Sequence, residues 1–296
     1  MNDTRSKVAV LGLGIMGGGM AGQLLAKGFD VTVWNRDPAK AQPLGEAGAT
    51  VAASPAEAAR GAAFVIAMLA HDDASRAVWL GEDGALAAMD AGAVAVECST
   101  LSVEWAKTLA SAAAERAIGF IDAPVTGTKP QAAGGTLRFF AGGDADTLTK
   151  AEPVLLAMGT EVIRLGPVGS GALLKLVNNF LCGVQVASLA EAITMVERSG
   201  LDVAQSMGVL TAGAPGSPLV KMLAARMTER DYAPNFLPAL MAKDLRYAAS
   251  TFAEQGIELA SADVARARFE AAAEQFGDKD MAVVAEVIRA AGTPRE

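Results

Sequence analysis

The sequence predicts an α/β domain with a mostly parallel, doubly wound sheet, then an all-α domain, with a long helix joining the two. Within residues 1–166, apolar strand-like runs alternate with helical segments, which is typical of a parallel sheet covered by helices. Residues 167–296 contain helical patterns and no convincing strand. A proline-free helical pattern over residues 172–197 begins this second part. We therefore place the domain boundary near residue 166.

The first strand leads into a glycine-rich turn. Residues 7–11 are apolar without alternation, as in a strand that is buried on both faces. Gly12, Gly14 and Gly17 follow with the spacing G-x-G-x-x-G, and a helix is predicted over residues 16–27. Free N–H groups at the start of such a helix bind phosphates. The pattern predicts a Rossmann domain in which the cofactor contacts Gly12, Leu13, Gly14, Ile15 and Met16.

The remaining elements follow from local patterns. Further strands, rich in apolar and β-branched residues, are predicted at 30–34, 63–69, 93–98, 118–123 and 137–141. Ser54 and Glu57 have the spacing of a capping box, with Pro55 between them, so a helix is expected to begin there. In the second part, helices are predicted at 203–210, 219–226, 235–252, 261–276 and 281–291. The middle of the long helix, residues 176–190, is nearly free of charge, which predicts burial on most sides and a homo-oligomer, a dimer or tetramer, through the helical domain.

Composition excludes several classes of function. The net charge of −8 and the pI near 4.9 argue against a nucleic-acid partner. The two cysteines, Cys98 and Cys182, form neither a disulfide framework nor a metal cluster, and the single histidine, His71, excludes a histidine-based metal site or a Ser-His-Asp triad. We expect no metal. The N-terminus lacks an apolar signal segment, and the apolar runs are too interrupted to span a bilayer, so a soluble, cytoplasmic protein is predicted.

The end of the second strand indicates which nucleotide is bound. In a Rossmann domain an acidic residue at this point accepts the ribose hydroxyls of NAD, but here Asn35 and Arg36 occupy it. A guanidinium binds a 2′-phosphate, whereas a carboxylate would repel one. NADP is therefore the predicted cofactor, with NAD possible. Asp37 leaves an alternative open, because its carboxylate either pairs with Arg36 or faces the ribose. A second alternative is that Arg36 is an ordinary solvated loop residue.

Four motifs occur in order along the chain: Gly-Leu-Gly-Ile-Met-Gly-Gly-Gly-Met at 12–20, Asp-Ala-Pro-Val-Thr-Gly at 122–127, Gly-Ser-Gly-Ala-Leu-Leu-Lys-Leu-Val-Asn-Asn at 169–179 and Lys-Asp-Leu at 243–245. Together they resemble the motifs of the β-hydroxyacid dehydrogenase family, which includes 3-hydroxyisobutyrate dehydrogenases, tartronate semialdehyde reductases and glyoxylate/succinic semialdehyde reductases. The resemblance implies hydride transfer between a nicotinamide and a small hydroxy acid or its carbonyl partner.

The resemblance implies that Lys175 is the general acid/base and that Asn179 positions it or the substrate. The two residues are four apart, so they share one face of the long helix. From the residues alone, such a pair is more often a solvated face. The neighbours of Lys175 are apolar, however, and an ammonium can stabilise and protonate a developing alkoxide.

The substrate carboxylate is predicted to bind at Thr126, Gly127 and Thr128, where N–H groups and hydroxyls converge after a strand. The family usually has serine in place of Thr126. Thr100, which follows Ser99, matches a family position beside nicotinamide and substrate, although simple helix capping is the alternative. Phe236 and Asp244 match further family positions at the substrate, and Lys243 matches one at the cofactor; the alternatives are a core aromatic residue and a surface Lys-Asp pair. Met68, Leu69 and Ala70 are expected to line the cofactor side of the cleft.

These observations predict a reductase that uses NADPH and acts on a small aldehyde acid or keto acid of the glyoxylate/succinic semialdehyde type. A 3-hydroxyisobutyrate dehydrogenase is the alternative within the family. An imine reductase on the same scaffold is a further alternative, although such enzymes generally carry another residue at position 175. A catalytically silent scaffold with a cofactor site is the alternative outside enzymology.

Overall fold

The computed structural model describes residues 6–291. The chain folds into two compact units, one ending at Lys175 and the other beginning at Leu176. This division falls inside the long helix, later than the boundary that the sequence predicts near residue 166. The two units are described in turn.

A nine-stranded sheet forms the centre of the first unit. Eight strands lie in the order β3-β2-β1-β4-β5-β6-β8-β7, and β9 pairs with β8. Neighbouring strands are parallel except where β8 meets β6 and β7. The strands are β1 Lys7–Leu11, β2 Asp30–Trp34, β3 Thr50–Val51, β4 Phe64–Ala67, β5 Val94–Glu97, β6 Gly119–Asp122, β7 Val125–Thr126, β8 Leu137–Gly142 and β9 Gly159–Gly166. The predicted doubly wound sheet is confirmed, while β3, β7 and β9 had not been predicted.

Helices cover both faces of this sheet. They are α1 Gly17–Ala26, α2 Gln42–Glu46, α3 Pro55–Ala59, α4 Asp72–Leu80, α5 Ala85–Ala88, α6 Val103–Ala114, α7 Lys129–Gly134 and α8 Ala145–Met158, with a 3-10 turn at Pro38–Lys40. Along β1, Val8 and Val10 pack into one buried cluster, whereas Ala9 and Leu11 pack into the other. Burial on both faces explains why this strand is apolar without alternation. The predicted helix start is confirmed, since the Ser54 hydroxyl accepts a hydrogen bond from the Glu57 N–H at 3.1 Å.

The second unit is all-helical over the residues described from 176 to 291. The long helix α9 Ser170–Ser199 enters it and is followed by α10 Val203–Ala212, α11 Pro218–Glu229, α12 Pro238–Ala253, α13 Ala260–Phe276 and α14 Val284–Ala290, with a 3-10 turn at Met281–Val283. Helix α12 packs along α13. The predicted helices are all present.

The long helix α9 is less buried than the sequence indicates. Within the stretch 176–190, for which burial on most sides is predicted, Leu176 and Val186 are buried but Leu181 is 53% exposed, so the prediction is wrong at Leu181. The helix is long and apolar enough to cross a membrane by those two criteria, which also corrects the expectation that no described run would be. Core helices of soluble proteins meet the same criteria.

Candidate active site

A cavity opens at the carboxyl ends of β1, β2 and β4, where ligands bind in open α/β sheets. Seven residues predicted at the cofactor line it, namely Gly12, Gly14, Asn35, Arg36, Met68, Leu69 and Ala70. Several other residues that line the cavity were not predicted at the cofactor, including Trp34, Lys40, Ser54 and Ala74. Lys40 was the most detectable of these, because it is a second cation four residues after Arg36.

The glycine turn has the geometry that a bound pyrophosphate requires. Gly12 has a φ of +94°, which favours glycine, and its N–H donates to the Trp34 carbonyl at 2.9 Å. A Cβ on Gly17 would lie 2.0 Å from the Gly12 carbonyl oxygen, so only glycine allows helix and turn to approach. A Cβ on Gly14 would meet nothing within 4 Å. Since Gly14 lines the cavity, that open space leaves room for a group the size of a phosphate.

Two other predicted cofactor residues of the turn, Leu13 and Met16, pack their side chains against the core. Leu13 is 5% exposed and packs in the core, with Met16 partly buried against the same cluster. The Leu13 N–H donates to Asn35 Oδ1 at 2.8 Å, and Asn35 Nδ2 donates to the Asp37 carbonyl at 2.9 Å. Both ends of the Asn35 amide therefore hold protein backbone, so Asn35 shapes the cavity wall. The Asp37 carboxylate caps the 3-10 turn by accepting from the Ala39 N–H at 3.1 Å.

A buried carboxylate that was not predicted as a site residue lies at the end of β5. Glu97 is 1% exposed, and its Oε2 atom accepts hydrogen bonds from Ser75 Oγ at 2.7 Å and from Trp79 Nε1 at 2.8 Å. Its Oε1 atom accepts from the Ser99 N–H at 3.0 Å. Burial raises the pKa of Glu97 above its ordinary value, against the opposing effect of the hydrogen bonds from Ser99 and Ser75. An acidic residue closing an apolar strand was the signal for this network.

The Glu97 network supports the wall of the cavity. Ser99 Oγ accepts the N–H of Leu69 at 2.7 Å, which ties the end of β5 to the loop after β4. Ser75 and Trp79 point inward from α4, while Ala74 and Val78 of the same helix line the cavity. Glu97 thus positions two parts of the cavity wall, which are helix α4 and the loop after β4.

The predicted substrate loop is partly committed to helix α7. The N–H and the hydroxyl of Thr128 both donate to Gln131 Oε1, at 2.9 and 2.6 Å, at the start of that helix. Thr126 pairs with Arg138 in the sheet, and Gly127 has a φ of +130°. A Cβ on Gly19 would lie 2.8 Å from the Ala132 backbone, so α7 packs closely on the glycine-rich helix α1.

Lys175 is half-buried, one helical turn before Asn179 on α9. Asn179 is 4% exposed, and its Nδ2 atom donates to Asp244 Oδ2 at 2.6 Å. Asp244 Oδ1 lies 2.9 Å from Lys243 Nζ in an ion pair that is not aligned as a hydrogen bond. Asp244 is 1% exposed, and this carboxylate holds Asn179 and Lys243 in place.

Two other predicted site residues, Phe236 and Thr100, lie outside the cavity lining. Phe236 is half-buried, and its N–H donates to Asp280 Oδ2 at 3.0 Å. Thr100 follows Ser99 and is half-buried, but it does not line the cavity. The cavity residues belong to the first unit, and Asn179, Phe236, Lys243 and Asp244 belong to the second.

The fold and the glycine turn define an NAD(P)-dependent oxidoreductase, and comparison with known proteins agrees. Residues 7–166 match the NAD binding domain of 6-phosphogluconate dehydrogenase. Residues 169–288 match a family described as NAD-binding of NADP-dependent 3-hydroxyisobutyrate dehydrogenase. Together with full-length relatives, these matches show that the chain belongs to the β-hydroxyacid dehydrogenase family.

Three relatives illustrate the similarity. An NAD-dependent L-serine dehydrogenase of Pseudomonas aeruginosa is 36% identical over 81% of this chain and 83% of its own length. Glyoxylate/succinic semialdehyde reductase 1 of Arabidopsis thaliana is 32% identical over 96% of this chain and 98% of its own. The structure of Mycobacterium tuberculosis 3-hydroxyisobutyrate dehydrogenase with L-serine has a TM-score of 0.87 and 31% identity, covering 97% of this chain and 100% of that one.

Proposed function

We propose that this enzyme is an NADPH-preferring reductase of small aldehyde acids or keto acids, of the glyoxylate/succinic semialdehyde type, with Lys175 as general acid. The observation that carries the proposal is the pair of Lys175 and Asn179 on one helix, with the Asn179 amide held by a buried carboxylate. Bound nicotinamide supplies the hydride. The Lys175 ammonium then stabilises the developing alkoxide and donates a proton to its oxygen.

The preference for NADPH is supported by two exposed cations on the cavity wall, Arg36 and Lys40. A guanidinium binds a phosphate with two parallel hydrogen bonds, and a second cation adds to the attraction. The Asp37 carboxylate accepts the Ala39 N–H at the start of the 3-10 turn, and this cap gives it a role apart from the ribose.

The carboxylate of the substrate is proposed to bind beside Thr126 and Gly127. Thr126 is half-buried and Gly127 is exposed, so both are within reach of a small molecule. Thr128 contributes mainly by starting helix α7 through Gln131. In the second unit, Asn179 orients the substrate or Lys175, and Asp244 supports Asn179.

Turnover tests the proposal. We expect NADPH oxidation with one dominant substrate among glyoxylate, succinic semialdehyde, tartronate semialdehyde and methylmalonate semialdehyde. Lys175→Ala should lower kcat by roughly 1,000-fold, within the span expected for loss of acid catalysis and of charge stabilisation, and leave NADPH binding unchanged. The control is Lys221→Ala, which removes an exposed lysine on α11. Full activity of Lys175→Ala would remove Lys175 from the mechanism.

A second candidate is the oxidation of a 3-hydroxy acid such as L-serine or 3-hydroxyisobutyrate. It is favoured by the names of the Pseudomonas relative and of the Mycobacterium structure. The same Lys175 would then act as a base on the hydroxyl. Reduction of NADP or NAD by these hydroxy acids, measured beside the aldehyde panel, separates the two directions.

We further propose that the enzyme is cytoplasmic.

Oligomerisation through the helical domain is also proposed. Several large apolar side chains of the second unit are exposed in the single chain, including Leu181, Met195, Val209 and Val264. Exposed apolar side chains of this size are typical of surfaces that meet another copy. Light scattering after size-exclusion chromatography tests this, and a monomer at micromolar concentration would contradict it.

A further inference from the structure

The Asp122 side chain joins the end of strand β6 to the beginning of helix α9. Its Oδ1 atom accepts the N–H of Gly169 at 2.8 Å, and its Oδ2 atom accepts the N–H of Ala172 at 2.8 Å. Asp122 is 1% exposed and lies 47 residues before Gly169 in the chain. N–H groups in the first turn of a helix have no partner within the helix. A carboxylate from another element supplies that partner here, at the positive end of the helix dipole.

The backbone around this contact fits closely. Asp122 pairs with Gly142 of strand β8, and a Cβ on Gly142 would lie 2.6 Å from Asp122 Oδ1. A Cβ on Gly171 would lie 2.1 Å from the Phe140 carbonyl oxygen and 2.7 Å from the Asp122 carbonyl oxygen. The first turn of α9 therefore rests directly on the ends of β6 and β8, with no room to shift toward the sheet.

We propose that Asp122 is a positioning residue that fixes the first turn of α9 and thereby places the side chain of Lys175. Ala172, which Asp122 holds, is three residues before Lys175 and so nearly one helical turn away. A helix propagates the position of its first turn rigidly over so short a distance. The inference rests on the proposed function for the role of Lys175.

The ionisation state of Asp122 suits this role. Burial raises its pKa to about 6, while the hydrogen bonds from Gly169 and Ala172 oppose the shift. At neutral pH the carboxylate is charged, and both oxygens accept hydrogen bonds.

The test compares Asp122→Asn and Asp122→Ala with Asp144→Asn. Asp144 is a matched control, because its carboxylate caps another helix of the same unit, α8, through the N–H groups of Asp146 and Thr147. Hydrogen exchange of residues 169–175 measures the anchoring directly. Steady-state kinetics and NADPH binding measure the effect on the reaction.

In both Asp122 variants we expect the amides of residues 169–175 to exchange at least about tenfold faster than in the wild type, as for loss of a charge-assisted hydrogen bond. The kcat should fall at least about tenfold, while the Kd for NADPH stays within about twofold of the wild-type value. The Asp144 variant should change neither 169–175 nor kcat. Unchanged exchange, unchanged kcat or a parallel loss of NADPH binding would overturn the proposal. So would failure of both Asp122 variants to fold, because Asp122 would then be a requirement of the fold itself.

The same experiment separates this inference from the proposed function. If the wild type oxidises no NADPH with any substrate, the proposed function fails, and the exchange of residues 169–175 alone decides the anchoring. If Lys175→Ala is inactive while the Asp122 variants keep their kcat, the function stands and the positioning role falls.

Discussion

The backbone N–H of Leu13 donates a 2.8 Å hydrogen bond to the Oδ1 atom of Asn35. This bond ties the glycine turn to the end of strand β2, so one amide side chain sets the distance between two walls of the nucleotide cavity. Asn35 Nδ2 also donates to the Asp37 carbonyl at 2.9 Å, and this bond fixes the start of the segment that carries Arg36 and Lys40.

Replacing Asn35 separates its structural role from cofactor choice. Asn35→Ala leaves the Leu13 N–H without this acceptor, and we expect the KM for both NADPH and NADH to rise about 5- to 10-fold, the effect of losing about 1 kcal/mol of hydrogen bonding. Asn35→Asp keeps the acceptor but adds a negative charge, so it should raise the KM for NADPH and spare that for NADH. If Asn35→Asp raised the KM for NADH as much as the KM for NADPH, as Asn35→Ala is expected to do, this division of roles would be refuted.

Arg36 should contribute to NADPH binding and not to NADH binding. Arg36→Ala is expected to raise the KM for NADPH by about 10- to 100-fold, since a charge-assisted pair contributes about 1.5–3 kcal/mol. The KM for NADH should stay unchanged. The control is Arg60→Ala, which removes an exposed cation of the same unit that does not line the cavity. A comparable loss with NADH would show that Arg36 acts on something other than the 2′-phosphate.

The three glycines near the turn should respond differently to alanine. Gly14→Ala places a methyl group in open space within the cavity, so the protein should fold with a free energy of unfolding within about 1 kcal/mol of the wild type while NADPH affinity falls at least about tenfold. Gly17→Ala should destabilise by about 3 kcal/mol, because its methyl group would lie 2.0 Å from the Gly12 carbonyl oxygen.

Gly18→Ala is the matched control, since its methyl group would approach nothing closer than 3.8 Å. Urea unfolding and NADPH fluorescence titration measure the two properties for each variant. Normal NADPH binding by Gly14→Ala would mean that the pyrophosphate lies elsewhere.

Asp244 should support both stability and turnover. It is 1% exposed and holds Asn179 Nδ2 at 2.6 Å, with Lys243 Nζ at 2.9 Å from its other oxygen. Asp244→Ala breaks a buried ion pair, so urea unfolding should show a loss of about 3 kcal/mol together with a lower kcat. Asp263→Asn removes an exposed partner of Arg266 and should cost less than about 1 kcal/mol. Similar losses in both variants would contradict a special role for Asp244.

Asp122 predicts a dependence of stability on pH with a defined sign. Its pKa of about 6 in the folded protein exceeds the ordinary value of 3.8, so the folded state binds the proton more tightly. The contribution of Asp122 to the free energy of unfolding is therefore fully present below about pH 4 and is lost as the pH rises through about 6. Relative to Asp122→Asn, the wild type should lose about 3 kcal/mol of stability between pH 4 and pH 7.

Asp144 gives the opposite sign and so serves as an internal control. Its hydrogen bonds with Thr147 lower its pKa, so its contribution is present above the ordinary value and is lost as the pH falls. Urea unfolding at several pH values measures both differences against the wild type. The same slope for both variants would rule out the assignment for Asp122.

Local patterns in the sequence were sufficient for the parts of the protein that depend on neighbours along the chain. The apolar run of β1, the glycine spacing and the capping box at Ser54 each involve residues within one turn or one strand, so they could be read directly. The short strands β3 and β7, with two residues each, left no such pattern. They form because neighbouring strands offer them backbone partners.

By itself, the sequence determined six of the nine strands, the helices of the second unit, the glycine turn and the apolar neighbours of Lys175 along its helix. Only the tertiary structure decided which groups the buried polar side chains hold. Asp122 meets Ala172 50 residues away, and Asn179 meets Asp244 65 residues away. A buried carboxylate must find hydrogen-bond donors, but the chain alone does not say which ones come within reach. Those partners exist only once the sheet and the helices have been packed together.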